Sequence, residues 1–385
     1  MANINLALSL HFYQPMPWQS REVLARIVER CYRPILQWID GRDGFAFSAN
    51  VNGSLLRLLE RDGHNDIIDL FARVVADGKM ELFGTVAYHP IVPLCTPEEI
   101  RRQIEADAAI KARFGLPPHT CGGFYLPEYA FSEEVVITLR EAGFGFTLTD
   151  DALFAWRYGQ TPTDYLPTVK GMPVFLRSRH WGNEIDKADC DFDRLRDKLP
   201  HDVGHEELRG QPGYKVVAMD AEAFGEHHEH HVDWLLKPMI EAWSRPDSPV
   251  DIIPFRELLQ KFGPDRREMF VPAGTWSTRV DDAIAGIPFP LWDDSRNVNH
   301  RLLWQLVNIA RRFDGDPRVA ETAMFMLTSC GWWWVSRDSP KFSPDLMKHN
   351  ADLAMTVIET AGDVDAIQEA RRIYSELLRP HGLLR

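Results

Sequence analysis

Short hydrophobic runs alternate with longer amphipathic stretches over the first two thirds of the chain. The first run, residues 4–10, alternates apolar and polar positions with period two, and later runs are rich in β-branched or aromatic residues, which is typical of buried strands. The pattern predicts seven strands, at residues 4–10, 45–51, 81–86, 123–125, 145–149, 174–177 and 215–219. It predicts helices at residues 22–39, 54–60, 66–77, 97–114, 132–142 and 193–199. This alternation favours an α/β fold with a parallel sheet.

Polar residues follow the ends of four of these strands. His11 follows the first, His89 the third, Glu128 the fourth and Asp220 the seventh. In a closed barrel the carboxyl ends of the strands converge on one face, whereas an open sheet spreads them along a line. We therefore expect a barrel with these four side chains at its mouth.

The pattern changes after about residue 265. Four amphipathic helices are predicted there, at residues 301–313, 320–330, 346–361 and 364–378. The stretch 274–299 is rich in Pro, Gly, Asp and Trp, and we expect it to be a long loop over the barrel mouth. The predicted division is a barrel at residues 1–272, followed at residues 273–385 by this loop and a helical bundle that packs on the barrel.

The composition limits the classes of partner that we expect the protein to bind. The 385 residues are 45% hydrophobic and carry a net charge of −13, which disfavours nucleic acid. No segment has the length of a membrane span, and the amino-terminal run looks like a strand rather than a signal peptide, so we expect no membrane partner and a cytoplasmic location. The five cysteines are scattered without a CxxC pair, which disfavours a disulfide framework or a structural zinc site. No G-x-G-x-x-G or Walker motif is present either, so we expect no cofactor and no metal. Twelve tryptophans favour a carbohydrate site, and the oligomeric state is open.

Glu128 and Asp220 are the best-placed pair for cleaving a glycosidic bond. That reaction needs one carboxyl to protonate the leaving oxygen and a second, ionised carboxylate to attack the sugar or activate water. Either residue has an ordinary alternative as a turn or helix-capping residue. Glu222 is a rival partner, because positions 220 and 222 share a face if the strand continues.

Other candidates have plainer explanations beside the functional one. The run 226–231, EHHEHH, suggests a metal, but without an HExxH motif it is better explained as a solvated polar helix start. Trp276 and the three tryptophans at 332–334 are either core aromatics or sugar-stacking residues. Three in a row cannot all face inward on one helix, so at least one is expected at a surface or interface. Two rival enzyme classes are disfavoured. The sequence has no G-x-S-x-G motif, which a Ser-His-Asp hydrolase would need. It also has no Asp-Asp pair after the first strand, which a metal-dependent polysaccharide deacetylase would need.

Taken in order, the motifs resemble those of glycoside hydrolase family 57. LHFYQP is similar to the family's first motif, ELFGTVAYHPIVPL to the second, GFYLPEYA to the third, AMDAEAFGEHH to the fourth and TSCGWWWVS to the last. The resemblance implies an incomplete (β/α)7 barrel with a helical region behind it, and retaining chemistry on α-glucans. It assigns Glu128 as nucleophile and Asp220 as general acid/base, which sets Glu222 aside. The implied substrate contacts are His11, Gln14, His89, Glu222, Trp276 and Trp332.

Three positions depart from the family pattern. Tyr13 stands where a second His is usual, Tyr125 replaces a Trp, and Gly331 stands where an Asp precedes the Trp of the last motif. These departures bear on the substrate more than on the reaction. The retaining scheme leaves hydrolysis, transfer and branching open, and a catalytically inactive α-glucan-binding protein on the same fold is the alternative.

Overall fold

The strands occupy the predicted positions and three more appear. The computed structural model describes residues 4–16, 18–43, 46–202, 212–336 and 342–384. The strands in these ranges are β1 Ile4–Phe12, β2 Phe47–Val51, β3 Met80–Leu82, β4 Gly123–Phe124, β5 Phe146–Asp150, β6 Leu166–Val169, β7 Met172–Arg177, β8 Gly213–Asp220, β9 Val250–Ile252 and β10 Arg266–Glu268. Phe45, the first residue of the predicted second strand, lies outside the described residues.

Helices connect the strands and make up most of the last ninety residues. They are α1 Arg21–Ile27, α2 Arg33–Asp40, α3 Gly53–Arg61, α4 Asn65–Ala76, α5 Pro97–Arg113, α6 Glu133–Glu141, α7 Ala152–Tyr158, α8 Arg179–Ile185, α9 Phe192–Asp202, α10 Lys237–Trp243, α11 Phe255–Phe262, α12 Val280–Ile284, α13 Val298–Ala310, α14 Ala320–Phe325, α15 Cys330–Trp333, α16 Pro344–Ala361 and α17 Val364–Leu378. A π-helical turn, Val28–Tyr32, joins α1 to α2. No helix within the described ranges is long and apolar enough to cross a membrane.

Seven parallel strands in two sheets form a ring, and the sheets meet at two joints. One sheet has the order β3-β2-β1-β8, and the other includes β7-β5-β4. At the first joint the Gly84 amide donates to the Gly123 carbonyl (2.9 Å), and at the second the Ser178 amide donates to the Val216 carbonyl (2.8 Å). A Cβ at Gly123 would lie 2.3 Å from the ring of Phe146. Glycine at position 123 therefore leaves room for the Phe146 ring of the neighbouring strand β5.

Alternation along β1 separates an outer from an inner face. Its residues Leu6, Leu8 and Leu10 belong to the core beneath α1 to α4, whereas Ala7 belongs to the core inside the barrel. That inner core is aromatic, with Phe83, Phe146, Phe175 and Phe255 packed mostly edge to face. Since side chains alternate along a strand, His11 points with Ala7 toward the barrel axis.

The last helices share a separate core with the loop that precedes them. Helix α17 has the predicted bounds, but the helix predicted at 320–330 is wrong because it is interrupted after Phe325. The interruption has a physical cause. Thr328 forms a β-bridge with Pro90, and the Ser329 amide donates to the His89 carbonyl (2.9 Å). Pairing with the barrel replaces helical hydrogen bonds there and brings Ser329 to the barrel mouth.

Candidate active site

Three polar residues form a row across adjacent strands at the barrel mouth. In the β1–β2 register His11 is opposite Asn50, and in the β1–β8 register it is opposite Asp220. Neighbouring strands lie about 4.8 Å apart, so the three residues lie side by side across the mouth. Asn50 and His11 are buried, whereas Asp220 is exposed. The Asp220 charge opposes the lowering of the His11 pKa that burial causes.

Glu128 lies just beyond β4 on a constrained backbone. Its φ is 58° and that of Tyr129 is 52°, so two successive non-glycine residues occupy the left-handed region. Such conformations cost about 1–3 kcal/mol each and persist only where surrounding structure imposes them. Here the amides of Phe131 and Gly274 each donate to the other's carbonyl, at 2.9 and 3.1 Å. The loop after β10 therefore holds the Glu128 segment in place.

The same loop supplies the closest partner of the Glu128 carboxylate. Trp276 Nε1 donates to Glu128 Oε2 at 2.6 Å, and Ser329 Oγ lies 3.5 Å from Oε1. The Glu128 side chain is 14% exposed. Burial raises its pKa to about 7, the Asp220 charge adds to the rise, and the two hydrogen bonds oppose it. A carboxyl that titrates near neutrality in a cleft is a functional-site signature.

Glu222 is buried behind the row rather than beside Asp220. Strand β8 ends at Asp220 and Ala221–Ala223 form a 3-10 turn, so the continuing strand that would put both residues on one face does not exist. Glu222 Oε1 accepts hydrogen bonds from Gln14 Nε2 (2.7 Å) and from the Tyr32 hydroxyl. Burial, and secondarily the Asp220 charge, raises its pKa to about 8. Gln14 and the π-helical turn thus fix Glu222 from one side.

The rings of His11 and His89 are hydrogen-bonded to each other. His11 Nε2 and His89 Nε2 are 3.0 Å apart, His11 Nδ1 is 2.7 Å from Asn50 Oδ1, and His89 Nδ1 is 2.8 Å from Ser329 Oγ. All four ring nitrogens are therefore engaged within the protein. Burial lowers the pKa of His11 below its ordinary value and that of His89 well below it. Both rings are consequently neutral at physiological pH.

Two of the departures from the family pattern cover this histidine pair. Tyr13 stacks on His89 with ring centroids 3.8 Å apart, and Tyr125 stacks on His11 at 4.8 Å. The Tyr13 hydroxyl is 3.5 Å from Cys330 Sγ, beside the third departure, Gly331. The three departures therefore belong to one connected region of the mouth.

The tryptophans divide between site and core. Trp332 is 1% exposed and stacks on Trp304 at 3.8 Å, so it lies in the helical core. Trp333 packs edge to face against Trp276 at 6.1 Å and is half-buried. This agrees with the argument that three successive tryptophans cannot all face inward. Trp276 is next to Glu128, whereas Trp292, from the same loop, is fully buried and donates to the Ser329 carbonyl (3.2 Å).

The run 226–231 is a turn, so its interpretation as a helix start is wrong except at its last residue. Phe224 and His228 form a β-bridge, and His231 precedes the π-helical turn Val232–Leu236. His228 Nε2 is 3.2 Å from Asp186 Oδ1, and His230 stacks on Trp234. Within the described ranges no group of three or more His, Cys, Asp or Glu residues has a metal-binding arrangement.

A cavity of about 430 Å³ lies at the opposite end of the barrel. Its lining includes Lys79 before β3, Asp251 in β9, and Pro254 and Glu257 after β9, a strand that pairs with the first residues of β1. None of the motif residues lines it. The catalytic candidates therefore belong to the carboxyl ends of the strands, where barrel enzymes carry their sites.

Comparison with known proteins identifies the family. The sequence model of Glycosyl hydrolase family 57 matches residues 8–270. The chain belongs to this family. An alpha-amylase of Pyrococcus horikoshii is 30% identical over 158 residues, which is 40% of this chain and 24% of that protein. A 4-alpha-glucanotransferase of Thermococcus kodakarensis is 26% identical over 157 residues, which is 40% of this chain and 23% of that protein. The matched stretch thus spans about a quarter of these relatives.

Solved structures of two enzymes share the fold. The 4-alpha-glucanotransferase of Thermococcus litoralis superposes with a TM-score of 0.73 at 16% identity, over 94% of this chain and 60% of that one. A family 57 branching enzyme from Thermococcus kodakaraensis gives a TM-score of 0.68 at 16% identity, over 99% of this chain and 96% of that one. The predicted α/β architecture, an incomplete barrel followed by a helical region, is confirmed.

Sequence reasoning did not single out Asn50 or Ser329. Asn50 was detectable in principle, because it is the second-to-last residue of the second strand, as His11 is of the first. Ser329 carried no such sign, since its place depends on the interruption of a predicted helix. Both contact the histidine pair.

Proposed function

We propose that this protein is a retaining glycoside hydrolase or glycosyl-transferring enzyme that acts on α-glucans. Family membership and the names of the relatives, alpha-amylase and 4-alpha-glucanotransferase, support this substrate class. The observation that carries the mechanism is the Glu128 carboxylate, constrained in its backbone, hydrogen-bonded by Trp276 and within electrostatic reach of Asp220.

In the proposed mechanism protonated Asp220 donates to the glycosidic oxygen while ionised Glu128 attacks the anomeric carbon. A covalent glycosyl-enzyme forms, and Asp220 then takes a proton from water or from a sugar hydroxyl that releases the glycosyl group. The exposed position of Asp220 suits this exchange, because the acceptor reaches it from the mouth. Retention requires carboxyl groups about 5–5.5 Å apart.

The remaining assignments are part of the same proposal. Trp276 is close enough to Glu128 to contact a bound sugar, while Glu222 and Gln14 form the wall behind Asp220. We propose residues 1–272 as the catalytic barrel and 273–385 as the loop and helical bundle that packs on it. No cofactor, nucleic acid or membrane partner enters this proposal, and the cytoplasmic location stays a prediction.

The test is Glu128→Gln in the purified full chain, assayed for product release from a maltooligosaccharide of defined length. We expect a loss of about 10⁴-fold or more, because a nucleophile is removed. Glu98→Gln is the matched control, since that side chain is 65% exposed. Unchanged activity in Glu128→Gln would contradict the assignment, and the product distribution of the wild type separates hydrolysis, disproportionation and branching.

A catalytically inactive α-glucan-binding protein is the second candidate. It is favoured by the stacking of Tyr13 and Tyr125 over histidines whose ring nitrogens are all engaged within the protein. In this candidate the aromatic faces near the mouth, such as Trp276, would carry sugar binding, and the altered surroundings of the histidines would go with a loss of turnover. Maltooligosaccharide binding by calorimetry, with neither reducing-end release nor chain redistribution, would support this candidate over the enzyme.

A further inference from the structure

A continuous chain of hydrogen bonds runs from the second strand to the proposed nucleophile. Its successive contacts join Asn50 to His11 (2.7 Å), His11 to His89 (3.0 Å), His89 to Ser329 (2.8 Å) and Ser329 to Glu128 (3.5 Å). His89 Nδ1 itself is 3.8 Å from Glu128 Oε1, too far for a direct hydrogen bond. Ser329 is therefore the link between the histidine pair and the carboxylate.

The contact between the two histidines forces a direction on the chain. Two neutral imidazoles can share an Nε2–Nε2 hydrogen bond only if one nitrogen carries a proton and the other a lone pair. With the Asn50 oxygen facing His11, the proton of His11 is on Nδ1, that of His89 is on Nε2, and the Ser329 hydroxyl donates to His89. The Ser329 oxygen then offers Glu128 a lone pair, which suits a protonated carboxyl.

An ionised Glu128 needs the opposite direction. Ser329 must then donate to Glu128, His89 must donate from Nδ1, and His11 must donate from Nε2. His11 Nδ1 is left as an acceptor, and the Asn50 amide can meet it by turning its NH₂ group inward. Asn50 Nδ2 is buried without a partner among the described residues. Each histidine keeps one ring proton in both arrangements, and the proton lost is that of Glu128, released to solvent.

We propose that the Asn50–His11–His89–Ser329 chain reverses its direction with the charge on Glu128, and that Asn50 and Ser329 are positioning residues for that carboxylate. This rests on the proposed function of Glu128, and it gives the histidines a role other than contact with substrate. Charge-assisted hydrogen bonds are shorter than neutral ones, so the 3.5 Å link is the one that tightens when Glu128 ionises.

Other groups near the Asn50–His11–His89–Ser329 chain interact electrostatically with its residues or with Glu128. The Asp220 charge acts on both ends, since it influences Glu128 and His11. The charge on Glu128 is also felt by Tyr13 and Cys330, whose ordinary forms are neutral. The second oxygen of Glu128 is held by Trp276. The hydrogen bond from Trp276 and the charge of Asp220 are untouched by a change at Ser329 or Asn50, whereas Ser329 also forms a hydrogen bond with Cys330.

The first test follows the ring protons directly. The full chain is labelled with ¹⁵N at its histidine rings, signals are assigned with His11→Gln and His89→Gln, and spectra are recorded from about pH 5 to about pH 9. We expect His11 and His89 to exchange tautomers together near the titration of Glu128, about pH 7. In Glu128→Gln the exchange should disappear. Fixed tautomers across this range, or exchange that persists in Glu128→Gln, would overturn the proposal.

The second test uses the pH dependence of kcat/KM on a maltooligosaccharide. Ser329→Ala removes the donor to Glu128, so the acid limb should move up by about one pH unit, with about a fivefold loss of kcat/KM at neutral pH. Asn50→Asp, which can only accept, should move it the same way. Ser329→Thr keeps the hydroxyl and should restore the wild-type profile. A Ser329→Ala profile that keeps the wild-type limb would refute the positioning role.

The two tests fail separately. A wild type without α-glucan activity would sink the proposed function, and the tautomers would still decide whether the chain reverses. Conversely, an active wild type with fixed tautomers would keep the function and remove the chain from it. Melting temperatures of Ser329→Ala and Asn50→Asp identify a variant that loses activity by unfolding, and the spectra of the wild type and Glu128→Gln then decide alone.

Discussion

The Glu128 side of the mouth and the Asp220 side are built in opposite ways. Glu128 follows a two-residue strand, has a left-handed backbone, and is held by Trp276 and Ser329, which both come from beyond residue 272. Asp220 ends a regular eight-residue strand and is exposed. In the proposed mechanism Glu128 attacks in one fixed direction, and the carboxy-terminal region would preorganise it for that role. Asp220 exchanges protons with changing acceptors in the same mechanism, which its exposed position would suit.

The most direct test of this comparison is to assay an Asp220 variant on substrates with different leaving groups. Asp220→Asn should lose about 10³-fold on maltooligosaccharides, because general acid catalysis contributes 10²–10⁴-fold. On an activated dinitrophenyl glycoside, whose leaving group needs no proton, the rate of glycosyl-enzyme formation should stay within about tenfold of wild type. Glu128→Gln should lose activity on both substrates. Equal losses on the two substrates in Asp220→Asn would show that Asp220 is not the acid.

A second variant tests how Glu128 is held. Trp276→Phe keeps an aromatic ring and removes the hydrogen bond to Glu128 Oε2. A hydrogen bond to a charged group is worth about 1.5–3 kcal/mol, so kcat/KM near neutral pH should fall about thirtyfold. That hydrogen bond holds the Glu128 pKa down, so the acid limb of the pH profile should also rise. Trp333→Phe is the matched control, and a Trp276→Phe limb at the wild-type pH would argue against the contact.

The same contrast explains what was predictable from sequence. Asp220 and His11 are set by strand alternation and strand-end placement, which the hydrophobic pattern carries. The partners of Glu128 depend on tertiary contacts. Ser329 reaches the mouth only because Thr328 pairs with Pro90 and interrupts a helix that local periodicity favours. Trp276 was recognisable as a candidate, but its hydrogen bond to Glu128 spans 148 residues of chain.

Smaller features were missed for local reasons. Strand β9 has three residues, too short to leave a periodic pattern. Strand β10 is also three residues long and fully exposed, so it has no hydrophobic face to recognise. The separation of Asp220 from Glu222 depends on a single 3-10 turn. None of these lies on the pattern that locates the barrel mouth.

The pH dependence of the free energy of unfolding tests the Asp220 side of the mouth through its buried neighbour Glu222. The native pKa of Glu222, about 8, lies above the value of about 4.3 for an unperturbed Glu. The native state therefore holds a proton that the unfolded state has lost, and the free energy of unfolding falls as pH rises through this window. Glu222→Gln should remove this fall and be more stable than wild type above about pH 8, by about 2 kcal/mol.

Urea unfolding at about pH 5 and about pH 9 measures this. The exposed Glu98→Gln is again the control, and its difference from wild type should not change with pH. A Glu222→Gln variant that tracks the wild type at both pH values would mean that Glu222 is ionised at little cost in the native state.

The smallest expected effect concerns Gly331, where the family's usual Asp is absent. A Cβ there would lie 2.5 Å from Asn350 Cγ, and the Asn350 amide is fully buried without a partner among the described residues. Gly331→Ala should therefore cost about 1–2 kcal/mol of stability through overpacking. In Asn350→Ala the space is open, so adding Gly331→Ala should cost much less. Urea unfolding of the four proteins gives the coupling. Additive costs would mean that Asn350 does not occupy the space that an Asp at position 331 needs, whereas strong coupling would tie the departure at Gly331 to the buried amide.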